Sequence, residues 1–301
     1  MGFTQEYGID YDETFAPVTR LTSVKSLTAV VATHQWKLFQ MDVKNVFLND
    51  DFTKEFDFTS NSYDSVLFIR KSDRGLKLLL LYVDDMIITG GDTSSIHELK
   101  MHLSQEFEMK GLGLLNYFLG FEVTTRLDGY YLSQAKYASD LISQVGLTNN
   151  KTTSMPLETN AKLIPTDGTP LSDPTLYKKL VGSLVYLTIT RPDIAHIVHI
   201  VSQFMTAPRS NHYATVLHIL HYIKGTLFYV LHFATNSFIQ LSAYSDVDWA
   251  SDPTDRRSTT GYCFLLGNSP ISWHSKKQIV VSRSNTEVEC KVIANTTTEL
   301  I

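Results

Sequence analysis

The stretch that decides the fold is Leu76-Lys-Leu-Leu-Leu-Leu-Tyr82, which runs through Val83-Asp84-Asp85 into Met86-Ile-Ile-Thr89-Gly90-Gly91. Two apolar runs of strand length flank a tight acidic turn, which is the pattern of a β-hairpin. Adjacent carboxylates repel one another unless a cation sits between them, and oxygen-rich clusters of this kind suit Mg²⁺ or Mn²⁺. Aspartate is also a favoured turn residue, so spacing alone leaves both readings open.

Upstream of the hairpin, residues 36–43 alternate like a strand that carries a further carboxylate, Asp42. Before it, Leu21, Val24, Leu27 and Val31 recur at helical spacing. Residues 51–65 are irregular. Downstream, Ser95-x-x-Glu98 reads as a capping box that opens a helix with the apolar face Ile96, Leu99, Leu103 and Phe107. A second hairpin is expected over residues 117–133, turning at Leu127-Asp128-Gly129.

From 136 to 224 the pattern is mostly helical. One helix stops at Gly146, Pro174 can open another, a third runs from Arg191-Pro192 to Met205, and a fourth spans 212–224. The Pro- and Thr-rich piece 155–174 reads as a linker. Strand patterns return at 228–233, 239–244, 261–266 and 271–273, followed by a helix from about Thr286.

The 301 residues are 43% hydrophobic and 19% charged, enough apolar material for real cores and too much for a disordered chain. A net charge of −5 gives no global signature of a nucleic-acid binder, so contacts with phosphates would need local basic patches. Two cysteines, Cys263 and Cys290, exclude a disulfide scaffold and a cysteine-based zinc site. No apolar run approaches a membrane span and the first residues lack a signal-peptide pattern, so a soluble intracellular chain is expected.

The wording of the acidic segments goes further than their spacing. Phe39-Gln-Met-Asp42-Val-Lys-Asn-Val-Phe47-Leu48 followed by Tyr82-Val-Asp-Asp85 resembles motifs A and C of a reverse transcriptase palm. Tyr117-Phe-Leu-Gly-Phe-Glu122, Val181-Gly-x-Leu-x-Tyr-Leu187, Arg191-Pro-Asp-Ile194, Asp255-Arg-Arg-Ser-Thr-Thr-Gly-Tyr-Cys263 and Ser275-Lys-Lys-Gln278 continue the match in order. Together they resemble the Pol polyprotein of copia-type LTR retrotransposons along nearly the whole chain.

That resemblance implies an RNA-directed DNA polymerase with RNase H. Asp42, Asp84 and Asp85 would hold two Mg²⁺ (or Mn²⁺) ions for nucleotidyl transfer, helped by the backbone carbonyl of Val43. Phe47 would exclude a ribose 2′-OH, and Phe118-Leu119-Gly120 would form the primer grip. Both Phe47 and Phe118 are equally readable as core aromatics. Asp246 and Glu289 would be two metal ligands of the RNase H site, with Asp248 and Glu287 as solvated neighbours and further ligands expected beyond Ile301. Arg256, Arg257, Lys276 and Lys277 could track phosphates near that cleft, or be solvated surface. The implied partners are an RNA template, a DNA primer, an RNA–DNA hybrid and deoxynucleotides, with no membrane. The implied setting is the cytoplasm, a virus-like particle or the nucleus.

The departures matter as much. Only 41 residues separate Asp42 from Asp84, and the Leu-Tyr-Gly-Leu-Lys-Gln type segment of motif B, which packs under template and nucleotide, is absent between them. Residues 51–57 read as a join. A metal triad without its template platform is not expected to polymerise, which leaves an inactive fragment, an active enzyme or a residual nucleic-acid-binding module as the alternatives. The histidine pairs His196/His199 and His218/His221 could be metal ligands only with further donors nearby, and packed or surface histidines are the plainer reading. The expected fold is α+β in three parts: a truncated palm over 1–125, a helical connection over 126–235 and a partial RNase H-like unit over 236–301.

Overall fold

A computed structural model describes residues 20–42, 56–73, 75–82, 85–106, 109–147, 151–157 and 163–300. Of the expected site residues, Val43, Phe47 and Asp84 lie outside these, as does Phe107 on the apolar helix face. The fold is mixed α and β, with antiparallel sheets, and divides into two compact units, residues 1–118 and 119–301.

The first unit is built on one six-stranded antiparallel sheet. Helix α1 (Leu21–Thr33) precedes strand β1 (Phe39–Asp42). Strands β2 (Thr59–Ser60), β3 (Leu67–Ser72), β4 (Gly75–Tyr82) and β5 (Asp85–Gly90) follow. Helix α2 (Thr93–Glu106) then leads to β6 (Lys110–Leu114) and the short β7 (Tyr117–Phe118). The sheet order is β2-β3-β4-β5-β1-β6. The β4–β5 hairpin is the expected one, with Leu80 opposite Ile87 and Tyr82 opposite Asp85. Leu79, Leu80, Ile87 and Ile88 are fully buried, each contributing about 1.5–3 kcal/mol of transfer energy.

Three details depart from the sequence reading. Helix α2 starts earlier than a cap at Ser95 allows: the Asp92 carboxylate accepts the backbone N–H groups of Ser94 and Ser95, so Asp92 closes the helix start. Strand β3 had no clear signature because only Phe68 along it is buried. Strand β6, Lys-Gly-Leu-Gly-Leu, is exposed throughout and has no period to read, yet it pairs with β1 across a register shift.

The second unit opens with β8 (Phe121–Arg126) and β9 (Gly129–Ser133), and β9 also pairs with β10 (Leu231–Ala234). Between them lie α3 (Ala135–Gln144), α4 (Thr175–Leu187), a 3₁₀ turn (Pro192–Ile194), α5 (Ala195–Ser202) and α6 (Ser210–Gly225). The helix expected from Arg191 to Met205 is thus a 3₁₀ turn plus a shorter helix, ending ahead of Pro208. Tyr177, Leu184, Val201 and Ile219 are central to the helical core, and the Tyr177 hydroxyl donates to the Val201 carbonyl at 2.7 Å.

A three-stranded antiparallel sheet, β11 (Leu241–Val247), β12 (Thr259–Leu266) and β13 (Ser269–Lys277), and helix α7 (Asn285–Leu300) end the chain. Helix α5 packs on β13 and α7 on β11. The segments 126–235 and 236–301 therefore fall in one compact unit.

Candidate functional site

The acidic hairpin and the preceding strand meet because β1 inserts beside β5. Their register sets Asp42 directly opposite Asp85 and Met41 opposite Met86. Side chains of directly opposed residues project from the same face of a sheet, so both carboxylates share one face while Met41 and Met86 are buried on the other. On its second side β1 pairs with β6, which sets Lys110 opposite Asp42. One row across the sheet therefore reads Tyr82, Asp85, Asp42, Lys110. Gln40, two residues before Asp42 on the same face, donates from Nε2 to Asp85 Oδ1 at 2.8 Å.

This row is a like-charge pair relieved by one amide donor and flanked by one lysine. Two facing carboxylates are hard oxygen donors of the kind that Mg²⁺ and Mn²⁺ prefer, so the residues present fit such an ion. Among the described residues no group of three or more His, Cys, Asp or Glu is placed to hold a metal.

Next to the row, the Tyr82 ring meets Phe118 edge-on at 6.0 Å between centroids, and Phe118 is buried. Leu119 and Gly120 both have positive φ, 52° and 79°. The Leu119 carbonyl accepts the Tyr186 hydroxyl at 3.1 Å, and a Cβ at Gly120 would run into that same hydroxyl. Glycine is thus required there by backbone conformation and by close approach.

The second acidic set is arranged differently. Asp246 lies within β11, opposite Gly261, and lines an open groove of about 630 Å³ together with His196, Tyr244, Trp273 and Ser275. Glu289 is exposed on α7, accepts from the Asn285 amide at 2.8 Å and does not line that groove. Asp248 accepts the backbone N–H of Thr259 and the Ser251 hydroxyl, which makes it an anchor of the β11–β12 loop. Glu287 accepts the Arg283 N–H and pairs with Lys291.

Of the four basic residues, Lys277 is committed to ion pairs with Asp252 and Asp255, at 2.6 and 2.9 Å, and is only 17% exposed. Arg257 faces Asp255 at 3.6 Å, Arg256 sits in the left-handed region with φ 57°, and Lys276 is exposed.

Both histidine pairs act as struts. His196 Nδ1 meets Ser275 Oγ at 3.2 Å, and His199 Nε2 accepts the Lys277 N–H at 3.0 Å, tying α5 to β13. Burial, with His274, His196 and Lys277 nearby, pushes the His199 imidazole down to about 4. His218 and His221 bond to the backbone of residues 151–155.

Reading the sequence missed Lys110, whose place opposite Asp42 is a matter of register. It also missed the role of Gln40, although period-two alternation from Asp42 puts it on the same face. Nor was the clasp in Arg191-Pro-Asp193 visible: buried Arg191 bonds Asp193 at 2.7 Å and both the carbonyl and the hydroxyl of Thr226.

The sequence family described as "Reverse transcriptase (RNA-dependent DNA polymerase)" matches residues 1–56 and 50–159. The retrovirus-related Pol polyprotein from transposon RE1 of Arabidopsis thaliana is 35% identical over 344 positions, covering 99% of this chain and 24% of its own length. That from transposon TNT 1-94 of Nicotiana tabacum is 34% identical over 357 positions, covering 100% of this chain and 27% of its own. An uncharacterized mitochondrial protein of Arabidopsis thaliana is 42% identical over 224 residues, 74% of this chain and 92% of that protein. The chain thus spans about a quarter of the length of the Pol polyproteins. Both alignments to the polyproteins are longer than the 301 residues of the chain, so these relatives carry residues that it lacks. No solved structure matches.

Proposed function

The chain belongs to the reverse transcriptase family of copia-type retrotransposon Pol polyproteins, and from that premise we propose that it is a remnant that keeps the polymerase metal site but does not polymerise. The observation that carries this reading is the register of Asp42 against Asp85 across β1 and β5, with Gln40 and Lys110 on the same face. Asp42 and Asp85, with Asp84, would hold Mg²⁺ or Mn²⁺, which when bound neutralises charge developing in phosphoryl transfer. Gln40 fixes the orientation of Asp85, and Lys110 stands opposite Asp42 on the same face. The substrates would be a primed RNA template and deoxynucleotides.

The loss of polymerisation rests on residues in the interior of the chain. The family match comes in two stretches that overlap at residues 50–56, across the segment 51–57 that reads as a join. The motif that would support template and nucleotide is absent between Asp42 and Asp84. Positioning contributes roughly 7–11 kcal/mol to such reactions, so a metal site without its platform has little rate enhancement left.

The decisive experiment is extension of a DNA primer on an RNA template with Mg²⁺ or Mn²⁺. We expect no incorporation above background, together with binding of Mn²⁺ that depends on Asp42 and Asp85. Extension that disappears in Asp85→Asn would overturn the loss of activity. For residues 236–301 we propose an RNase H-like origin, supported by Asp246 on a strand against which the Glu289 helix packs. With Glu289 outside the Asp246 groove, we expect no cleavage of an RNA–DNA hybrid.

A further inference from the structure

We propose, resting on the reading of Asp42 and Asp85 as cation ligands, that Gln40 sets which cation this pair accepts and favours Mg²⁺ and Mn²⁺ over Ca²⁺. Gln40 would not touch the ion. It acts through Asp85, whose Oδ1 accepts the Gln40 Nε2 amide at 2.8 Å.

That bond is built into the sheet. Gln40 lies on β1, which is paired on both sides, to β5 and to β6, so its backbone is held from two directions. It stands opposite Ile87, which is fully buried, and is itself only 8% exposed. Asp85 lies two residues from Ile87 on the same face, at the diagonal reach of a long side chain. An amide donor left unpaired in such a place costs about 1–3 kcal/mol. The amide is therefore kept on Oδ1.

With Oδ1 engaged, the Asp85 carboxylate presents Oδ2 to a cation, and chelation by both oxygens competes with Gln40. Small octahedral ions do not need the second oxygen. Mg²⁺ binds at about 2.0–2.1 Å, takes one or two carboxylates and keeps several waters. Mn²⁺ accepts the same octahedral oxygen set. Ca²⁺ takes about six to eight oxygens at roughly 2.3–2.6 Å, and bidentate carboxylates help to reach that number. Holding Asp85 to one free oxygen thus withholds a ligand that Ca²⁺ would use and Mg²⁺ would not. Gln40 is a positioning residue of the pair, and partners of this outer kind typically change metal affinity by about 10–100-fold.

Competition of Ca²⁺ and of Mg²⁺ against Mn²⁺ on the full chain, read by the electron paramagnetic resonance of free Mn²⁺, tests this. Far-UV circular dichroism and the unfolding midpoint in EDTA check folding. Gln40→Met keeps the length of the side chain and removes the donor. We expect Ca²⁺ to compete about tenfold better against Mn²⁺ in this variant, with the Mg²⁺ to Mn²⁺ ratio unchanged. Gln40→Glu puts an acceptor where the donor stood and should shift the Ca²⁺ ratio in the same direction. Loss of packing alone would weaken every cation alike, so the ratio separates positioning from a structural role. An unchanged Ca²⁺ to Mn²⁺ ratio in both variants would overturn the role of Gln40 and leave the carboxylate site standing. A parent chain that holds no Mn²⁺ would overturn the metal site itself, and the role of Gln40 with it.

Discussion

Asp42 and Asp85 are direct partners across β1 and β5, and Lys110 stands opposite Asp42 on the far side of β1. Two carboxylates held face to face are a cost to the folded sheet in the absence of a cation, because like charges directly opposed are destabilising. Asp85→Asn should therefore raise stability in EDTA by about 0.2–1 kcal/mol and abolish Mn²⁺ binding. Lys110→Met should lower stability in EDTA and leave the binding site present. Urea melts and electron paramagnetic resonance of free Mn²⁺ read both. Unchanged Mn²⁺ binding in Asp85→Asn would refute the assignment.

At Gly120 a left-handed backbone and the Tyr186 hydroxyl act together. Gly120→Ala is expected to cost at least about 1–2 kcal/mol, and Gly120→Ala with Tyr186→Phe to recover part of it, the remainder being backbone strain. A double-mutant cycle by chemical unfolding gives the split, and no recovery would mean that the hydroxyl is not the obstacle.

Buried Arg191 serves Asp193 and Thr226 at once, and the Tyr222 hydroxyl adds a bond of 2.9 Å to the same aspartate. Arg191→Met should cost about 1–3 kcal/mol, because the Thr226 carbonyl loses its donor while Asp193 keeps the Tyr222 hydroxyl and solvent. Arg191→Lys should restore only part, since an ammonium cannot reproduce the guanidinium fork. Equal stability of Arg191→Lys and the parent chain would contradict the geometry.

Acid should loosen the contact between α5 and β13. The folded His199 imidazole lies at about 4, below its ordinary 6.5, under burial and the influence of His274, His196 and Lys277. The unfolded chain therefore takes up the proton first, and stability present above pH 6.5 is lost as pH falls toward 4. The loss is roughly 1–2 kcal/mol after allowance for partial exposure. His199→Gln, which can still accept the Lys277 N–H, should flatten that part of the stability–pH curve. An unaltered curve would place the acid sensitivity elsewhere.

The strand and helix content was largely legible because it rests on local pattern. Leu76 to Tyr82 and Met86 to Thr89 are apolar runs that can only be buried strands, and Ile96, Leu99 and Leu103 repeat at helical spacing. The carboxylates were legible by their wording around Asp42 and Asp85, and so was the shortness of the interval between them. The same local signals failed at β6, whose glycines and exposed leucines carry no period, and at the start of α2, where Asp92 caps in place of Ser95.

What the sequence determined by itself is the family, the hairpin and the types of residue available to a metal site, since these depend on neighbours along the chain. What only the tertiary structure decided is which of those residues face one another. A shift of one residue between β1 and β5 would move Asp42 to the opposite face from Asp85, and that register is set by burying Met41 against Met86. The place of Lys110 opposite Asp42 and the ion pairs that hold Lys277 follow from the same cause. Each is a contact between segments distant in sequence, fixed by which apolar faces can be buried together and by no signal within either segment.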